Sequence, residues 1–137
     1  MTSSGFRGNT LLKRANVKLS WTPAQFKEMT KCAADPIYFI EKYVKIVTED
    51  GLQPIVLRQY QKDFILSMFN NRFTIAMMGR QQGKTEAVRA FMIHYVIFNK
   101  QKTVGVLANK EATANEILSK IKISYQNLPA FMQMGRV

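Results

Sequence analysis

A chain of 137 residues of which 47% are hydrophobic holds enough apolar material for one folded domain with a core, and is not the composition of a disordered tail. Its formal charge of +11, from 20 Lys and Arg against 9 Asp and Glu, points to a polyanionic partner, nucleic acid above all. No membrane span, secretory leader or disulfide framework is expected: the longest apolar run, Ala90 to Phe98, is interrupted by His94, Met1 to Ser20 has no apolar centre, and Cys32 stands alone, which fits a reducing, cytosolic setting.

Residues 1–20 carry Arg7, Lys13, Arg14 and Lys18 and no acid, the pattern of a basic flexible arm. Such an arm either touches nucleic acid or keeps the terminus solvated, and the residues do not choose between these. Trp21-Thr22-Pro23-Ala24-Gln25-Phe26 carries the signals of a helix start. Thr22 is the N-cap, Pro23 takes the first helical position, Gln25 closes a capping box, and Trp21 with Phe26 forms a hydrophobic staple. Asp35-Pro36 repeats the cap-and-proline signal for a second helix through about Tyr43, with Ile37, Phe39, Ile40 and Tyr43 as its packing face. Both helices are expected to be scaffold, and Cys32 a small buried side chain in the first. Val44 to Thr48 and Gln53 to Leu57 flank Glu49-Asp50-Gly51-Leu52, which predicts a hairpin with its turn near Asp50-Gly51. From Leu57 to Asn70 apolar residues recur at 57, 60, 64, 65, 68 and 69, a helical spacing that ends at Asn70-Asn71.

Phe73 to Met78, mostly apolar, reads as a buried strand. The polar turn Gly79-Arg80-Gln81-Gln82-Gly83 follows, and Lys84 to about Asn99 is apolar on nearly all sides, as a buried helix is. Strand, Gly-Lys-Thr turn and helix are the layout of a phosphate-binding P-loop. Main-chain N–H groups of the turn and of the helix opening form a positive nest for phosphate. Gly83 lets the chain approach the anion with no side chain in the way. Lys84 reaches the β- and γ-phosphates as a point charge, and the Thr85 hydroxyl sits on Mg²⁺. The usual G-x-x-x-x-G-K-[ST] spacing would put its first glycine at Met78; here it falls one residue later, at Gly79. A surface loop that happens to read Gly-Lys-Thr is the plainer alternative, and the flanking strand and helix weigh against it. His94, alone on an apolar helix, is expected to be a satisfied core residue with no chemistry. Thr103 to Ala108 reads as a second strand and Glu111 to about Tyr125 as the next helix. That alternation implies right-handed crossovers and an α/β fold with a parallel sheet.

A P-loop ATPase also needs an acidic residue closing a neighbouring apolar strand to hold Mg²⁺, and usually a glutamate to activate water. No aspartate follows Asp63, and the later acids Glu86, Glu111 and Glu116 fall on helices or helix starts. Two parallel strands apolar on both faces do not make a stable sheet alone. The expectation is therefore that residues 21–137 are the N-terminal part of a P-loop ATPase domain of the RecA/ASCE kind. Without its Walker B element it should hydrolyse ATP poorly by itself.

From about Tyr43 to Gly135 the chain resembles the large terminase subunit of tailed bacteriophages, in particular the T4-like group with contractile tails. Leu57-Arg58-Gln59-Tyr60-Gln61-Lys62-Asp63 is similar to that family's adenine-binding stretch, in which an aromatic–glutamine pair contacts the base. The resemblance gives that role to Tyr60 and Gln61, with Arg58 nearby. Gly79-Arg80-Gln81-Gln82-Gly83-Lys84-Thr85 is similar to the family's deviant Walker A, so the late glycine is expected, and Arg80 is implied to sense or stabilise the γ-phosphate. His94 to Asn99 and Val104 to Lys110 also look like terminase stretches, the second matching a helicase-type motif after the second strand. The resemblance implies ATP and Mg²⁺ as cofactors, and double-stranded DNA, the portal protein and the small terminase subunit as partners. It also implies a location in the host cytoplasm, transiently at the procapsid portal. The family's Walker B strand, coupling motif and C-terminal nuclease domain have no counterpart here, which leaves room for a second polypeptide carrying the rest of the ATPase. Without the family, Tyr60 and Gln61 read as one core aromatic and one solvated amide.

Two rivals stand beside the leading reading, the N-terminal ATPase segment of a viral DNA-packaging motor. One is the front lobe of a superfamily-2 helicase, which would require a DEAD-type Walker B further on. The other is a non-enzymatic basic module that grips nucleic-acid phosphate with its Gly-Lys-Thr turn.

Overall fold

The computed structural model describes residues 7–13, 20–81 and 83–133, and its first helix begins where the local signals put it. Helix α1 (Pro23–Ala34) opens on Thr22, whose hydroxyl accepts from Gln25 N at 3.3 Å while Gln25 Oε1 accepts from Thr22 N at 3.1 Å. Each bond satisfies an N–H group that the helix start leaves without an internal acceptor. The Trp21 and Phe26 rings lie 6.5 Å apart, which completes the expected staple. Asp35 ends α1 and starts α2 (Pro36–Tyr43), its Oδ1 accepting from Tyr38 N at 3.1 Å. Phe39 and Ile40 on the expected face are fully buried. One oxygen of Glu28 pins the two helices together, accepting from Lys42 Nζ at 2.7 Å, the Tyr43 hydroxyl at 2.7 Å and the Tyr38 hydroxyl at 2.8 Å. These donors, Lys42 foremost, hold the Glu28 carboxyl down at about 2.

Strands β1 (Lys45–Thr48) and β2 (Gly51–Pro54) pair antiparallel, Lys45 opposite Pro54 and Thr48 opposite Gly51. The hairpin is where the sequence puts it, but its details differ. The turn is Glu49-Asp50 rather than Asp50-Gly51, and the second strand starts at Gly51 and stops short of Leu57. Two-residue loops suit the twist of paired strands, and Gly51 carries the corner at φ +100°, a conformation that costs glycine little. Pro54 has no N–H to donate, and one further bond, from Ile55 N to Val44 O at 3.3 Å, closes the hairpin.

Helices α3 (Gln59–Asn70), α4 (Lys84–Phe98) and α5 (Glu111–Gln126) follow close to their expected bounds, and a 3-10 turn, Ala130–Met132, comes after them. The core is built around α4, which packs on α2, α3 and α5. Its residues Ala87, Ala90, Ile93, His94 and Ile97, at helical spacing, are buried in one stripe with Phe39, Ile40 and Ile65 around them. His94 is the satisfied core residue the sequence suggests. Its Nε2 lies 2.9 Å from the Cys32 carbonyl, rings of Phe39, Phe69, Phe91 and Phe98 surround it, and burial pushes its pKa down. Cys32 is buried as expected, and burial raises its thiol to about 11.

The sheet departs from expectation. Among the described residues the only ladder is β1 with β2, so the fold is a mixed one of helices and an antiparallel hairpin. Residues 73–78 and 103–108, read as parallel strands from the sequence, pair neither with each other nor with another strand. From 103 to 107 burial follows the two-residue period of extended chain, but within 73–78 it does not, because Ala76 between Thr74 and Met78 is exposed. Thr74, Met78, Val104 and Val106 are half-buried, whereas Phe73, Ile75, Met77 and Leu107 face outward, Ile75 97% and Met77 99% exposed. Apolar composition marks these segments in the sequence, but a strand exists only through hydrogen bonds to a neighbour.

Of the basic arm, residues 1–6 and 14–19 lie outside the described residues. Of residues 7–13 most are exposed, but the end of the segment is anchored. Leu12 is buried, and Gln133 holds the segment at both ends of its amide, accepting from Lys13 N at 3.2 Å and donating to Leu11 O at 2.9 Å. No helix among the described residues is long and apolar enough to cross a membrane.

Candidate functional site

Helix α4 begins at Gly83, which adopts the left-handed conformation at φ +69°. Two separate constraints keep a side chain out of this position. An L-residue is strained at that φ, and a Cβ built there would stand 2.4 Å from Gln61 Nε2. The first N–H groups of α4 have no acceptor inside the helix and sit at the positive end of its dipole. Lys84 and Thr85, the first two helical residues, are exposed. Lys84 Nζ lies 3.5 Å from Met78 O, so its ammonium folds back across the turn. Gln81 also has positive φ, +57°, a conformation that costs a non-glycine residue on the order of 1 kcal/mol and that clusters at ligand-binding turns. Gly79 and Arg80 are exposed at the start of the turn, and Gln82 lies outside the described residues.

The structure brings the expected base-binding residues to this turn. A cleft of about 270 Å³ is lined by Arg58, Tyr60 and Gln61 from the start of α3, by Gln81 and Gly83 from the turn, and by Glu86, with Ile46, Ile55 and Val56 beside the hairpin as its apolar wall. The Arg58 guanidinium donates to the Tyr60 hydroxyl at 3.3 Å, which holds the two side chains together at the rim. Gln61 differs from both. It is buried, its Oε1 accepts from Arg58 N at 2.9 Å, and its Nε2 donates to Gly83 O at 3.0 Å. Arginine has no side-chain acceptor to cap α3, so Gln61 supplies the reciprocal half of a capping box and then reaches across to the turn.

Lys84 and Thr85 face a second cleft of about 340 Å³, walled by Ala76 and Met78 on one side and by Gly105, Val106 and Leu107 on the other. Arg80 lines neither of these two clefts. The second cleft contains a residue that sequence reasoning passed over. Arg89, on α4, is buried, pairs with Glu86 one turn earlier, and keeps its Nε without a hydrogen-bond partner. Burial pushes its pKa down, and Glu86 opposes that shift. The signal was a lone arginine within Ala87-Val88-Arg89-Ala90, three residues after a glutamate.

These residues suit a polyphosphate. The helix opening offers main-chain N–H groups without an acceptor inside the helix, one ammonium and a hydroxyl, and Glu86, the carboxylate lining the first cleft, is paired with Arg89. They suit a metal less completely. Thr85 supplies a hydroxyl, and no group of three or more acidic, histidine or cysteine side chains gathers among the described residues. No known family model matches the chain.

Proposed function

We propose that this chain binds a nucleoside triphosphate, ATP with Mg²⁺, as the N-terminal ATPase segment of a terminase-like motor that drives double-stranded DNA into viral procapsids. Lys84 and the amides around Gly83 hold the phosphates, Thr85 contributes to the metal, and Arg80 acts on the γ-phosphate. Tyr60 and Arg58 flank the base. The metal supplies charge neutralisation between phosphate oxygens when bound. The observation that carries the reading is the left-handed Gly83 at the opening of α4, in one cleft with Arg58, Tyr60 and Gln61. In this reading residues 73–78 and 103–108 become strands of a parallel RecA/ASCE sheet once further strands join them, carried by a second polypeptide or by the elements absent here. The outward-facing Phe73, Ile75, Met77 and Leu107 support that completion, since apolar strand faces of this kind are covered in α/β domains. The net charge of +11 supports a DNA partner.

Calorimetric titration of MgATP into wild-type protein and Lys84→Ala, with duplex DNA binding measured in parallel, tests the proposal. Loss of one phosphate-bound ammonium should weaken ATP by about tenfold or more, about 1.4 kcal/mol, and leave DNA affinity close to wild type. ATP affinity unchanged in Lys84→Ala would refute the phosphate assignment. DNA affinity falling with no ATP binding in either protein would favour the basic nucleic-acid module.

A further inference from the structure

We infer that Gln61 is a positioning residue for the phosphate turn and not a contact to the base. The inference rests on the nucleotide-binding reading and changes how one of its residues works. Gln61 is 7% exposed, and both ends of its amide are engaged, Oε1 with Arg58 N and Nε2 with Gly83 O. To turn toward a base in the cleft it would have to give up the bond to Gly83.

The bond it makes is placed where it controls the anion site. Gly83 O also accepts from Ala87 N at 3.1 Å, the first main-chain bond of α4. The peptide between Gly83 and Lys84 is rigid and trans, so fixing the direction of its C=O fixes the Lys84 N–H on the opposite side. That N–H is one of the helix-opening donors available to phosphate. Gln61 therefore aims an anion-binding amide by holding the carbonyl behind it. Because its other end holds Arg58 N, the start of α3, with Tyr60 at the cleft rim, moves with the turn. The glycine at 83 belongs to the same device, since any Cβ there would displace the Gln61 amide.

Comparison of two ligands separates positioning from base contact. MgATP and inorganic tripolyphosphate with Mg²⁺ are titrated calorimetrically into wild-type protein, Gln61→Ala, Gln61→Glu and Tyr60→Ala. Positioning predicts that Gln61→Ala weakens both ligands by one common factor, roughly 5- to 20-fold for loss of a bond that orients a donor to a charged group, at unchanged stoichiometry. Gln61→Glu keeps the acceptor for Arg58 N but sets a carboxylate against the Gly83 carbonyl, and so should weaken both ligands further. Tyr60→Ala should weaken ATP alone. Loss confined to ATP in the Gln61 variants, with tripolyphosphate unaffected, would overturn the inference and restore a base contact. A fall in stoichiometry at unchanged affinity would also overturn it, because that marks a purely structural role. Failure of the wild-type protein to bind either ligand would instead bring down the nucleotide reading, and the inference with it.

Discussion

Replacing Gly83 by alanine tests the coupling of the turn to α3 without any ligand. The added Cβ would meet Gln61 Nε2 at 2.4 Å. That atom is the far end of a flexible side chain, so it can swing aside, and the contact alone is not the main cost. Swinging aside breaks the bonds of Gln61 to Gly83 O and Arg58 N, and each is worth about 0.5–1.5 kcal/mol net. The φ of +69° adds the left-handed penalty of an L-residue, about 1–2 kcal/mol. Gly83→Ala should therefore destabilise the chain by about 2–5 kcal/mol. In a Gln61→Ala background the bonds are already gone and only the left-handed penalty remains, about 1–2 kcal/mol. A double-mutant cycle by urea denaturation should then return a coupling of about 1–3 kcal/mol. A Gly83→Ala cost equal in both backgrounds would refute the linkage. A cost below about 0.5 kcal/mol would refute the left-handed geometry as well.

Two other expectations are independent of that turn. The Glu28 carboxyl is held at about 2 against an ordinary 4.5, so its stabilising contribution is complete above 4.5 and is lost as the pH falls through about 2. Urea midpoints measured across that window should decline, and Glu28→Gln should flatten the decline; an unchanged slope would refute the three-donor cluster. Ile75 is 97% exposed, so Ile75→Lys should alter the unfolding free energy by no more than about 0.5 kcal/mol in urea denaturation. A loss above about 2 kcal/mol would mean that Ile75 is buried in solution.

The local sequence alone determined where α1 and α2 start. The Thr22–Gln25 box and the Asp35-Pro36 start are formed by groups within a few residues of one another, so the sequence displays them directly. Tertiary structure decided what needs a distant partner. Ladder bonds depend on a neighbouring strand, and segments 73–78 and 103–108 have none among the described residues. The hairpin turn shifted by one residue because pairing of β1 with β2, not the Asp50-Gly51 signal, set its register. Leu11 and Lys13, on either side of the buried Leu12, are bonded by Gln133, more than a hundred residues away in sequence. Gln61 reads in the sequence as a solvated amide or a base ligand. Only the packing of α3 against α4 put its Nε2 on a carbonyl 22 residues further along, because hydrogen bonds between elements are chosen by how the elements pack.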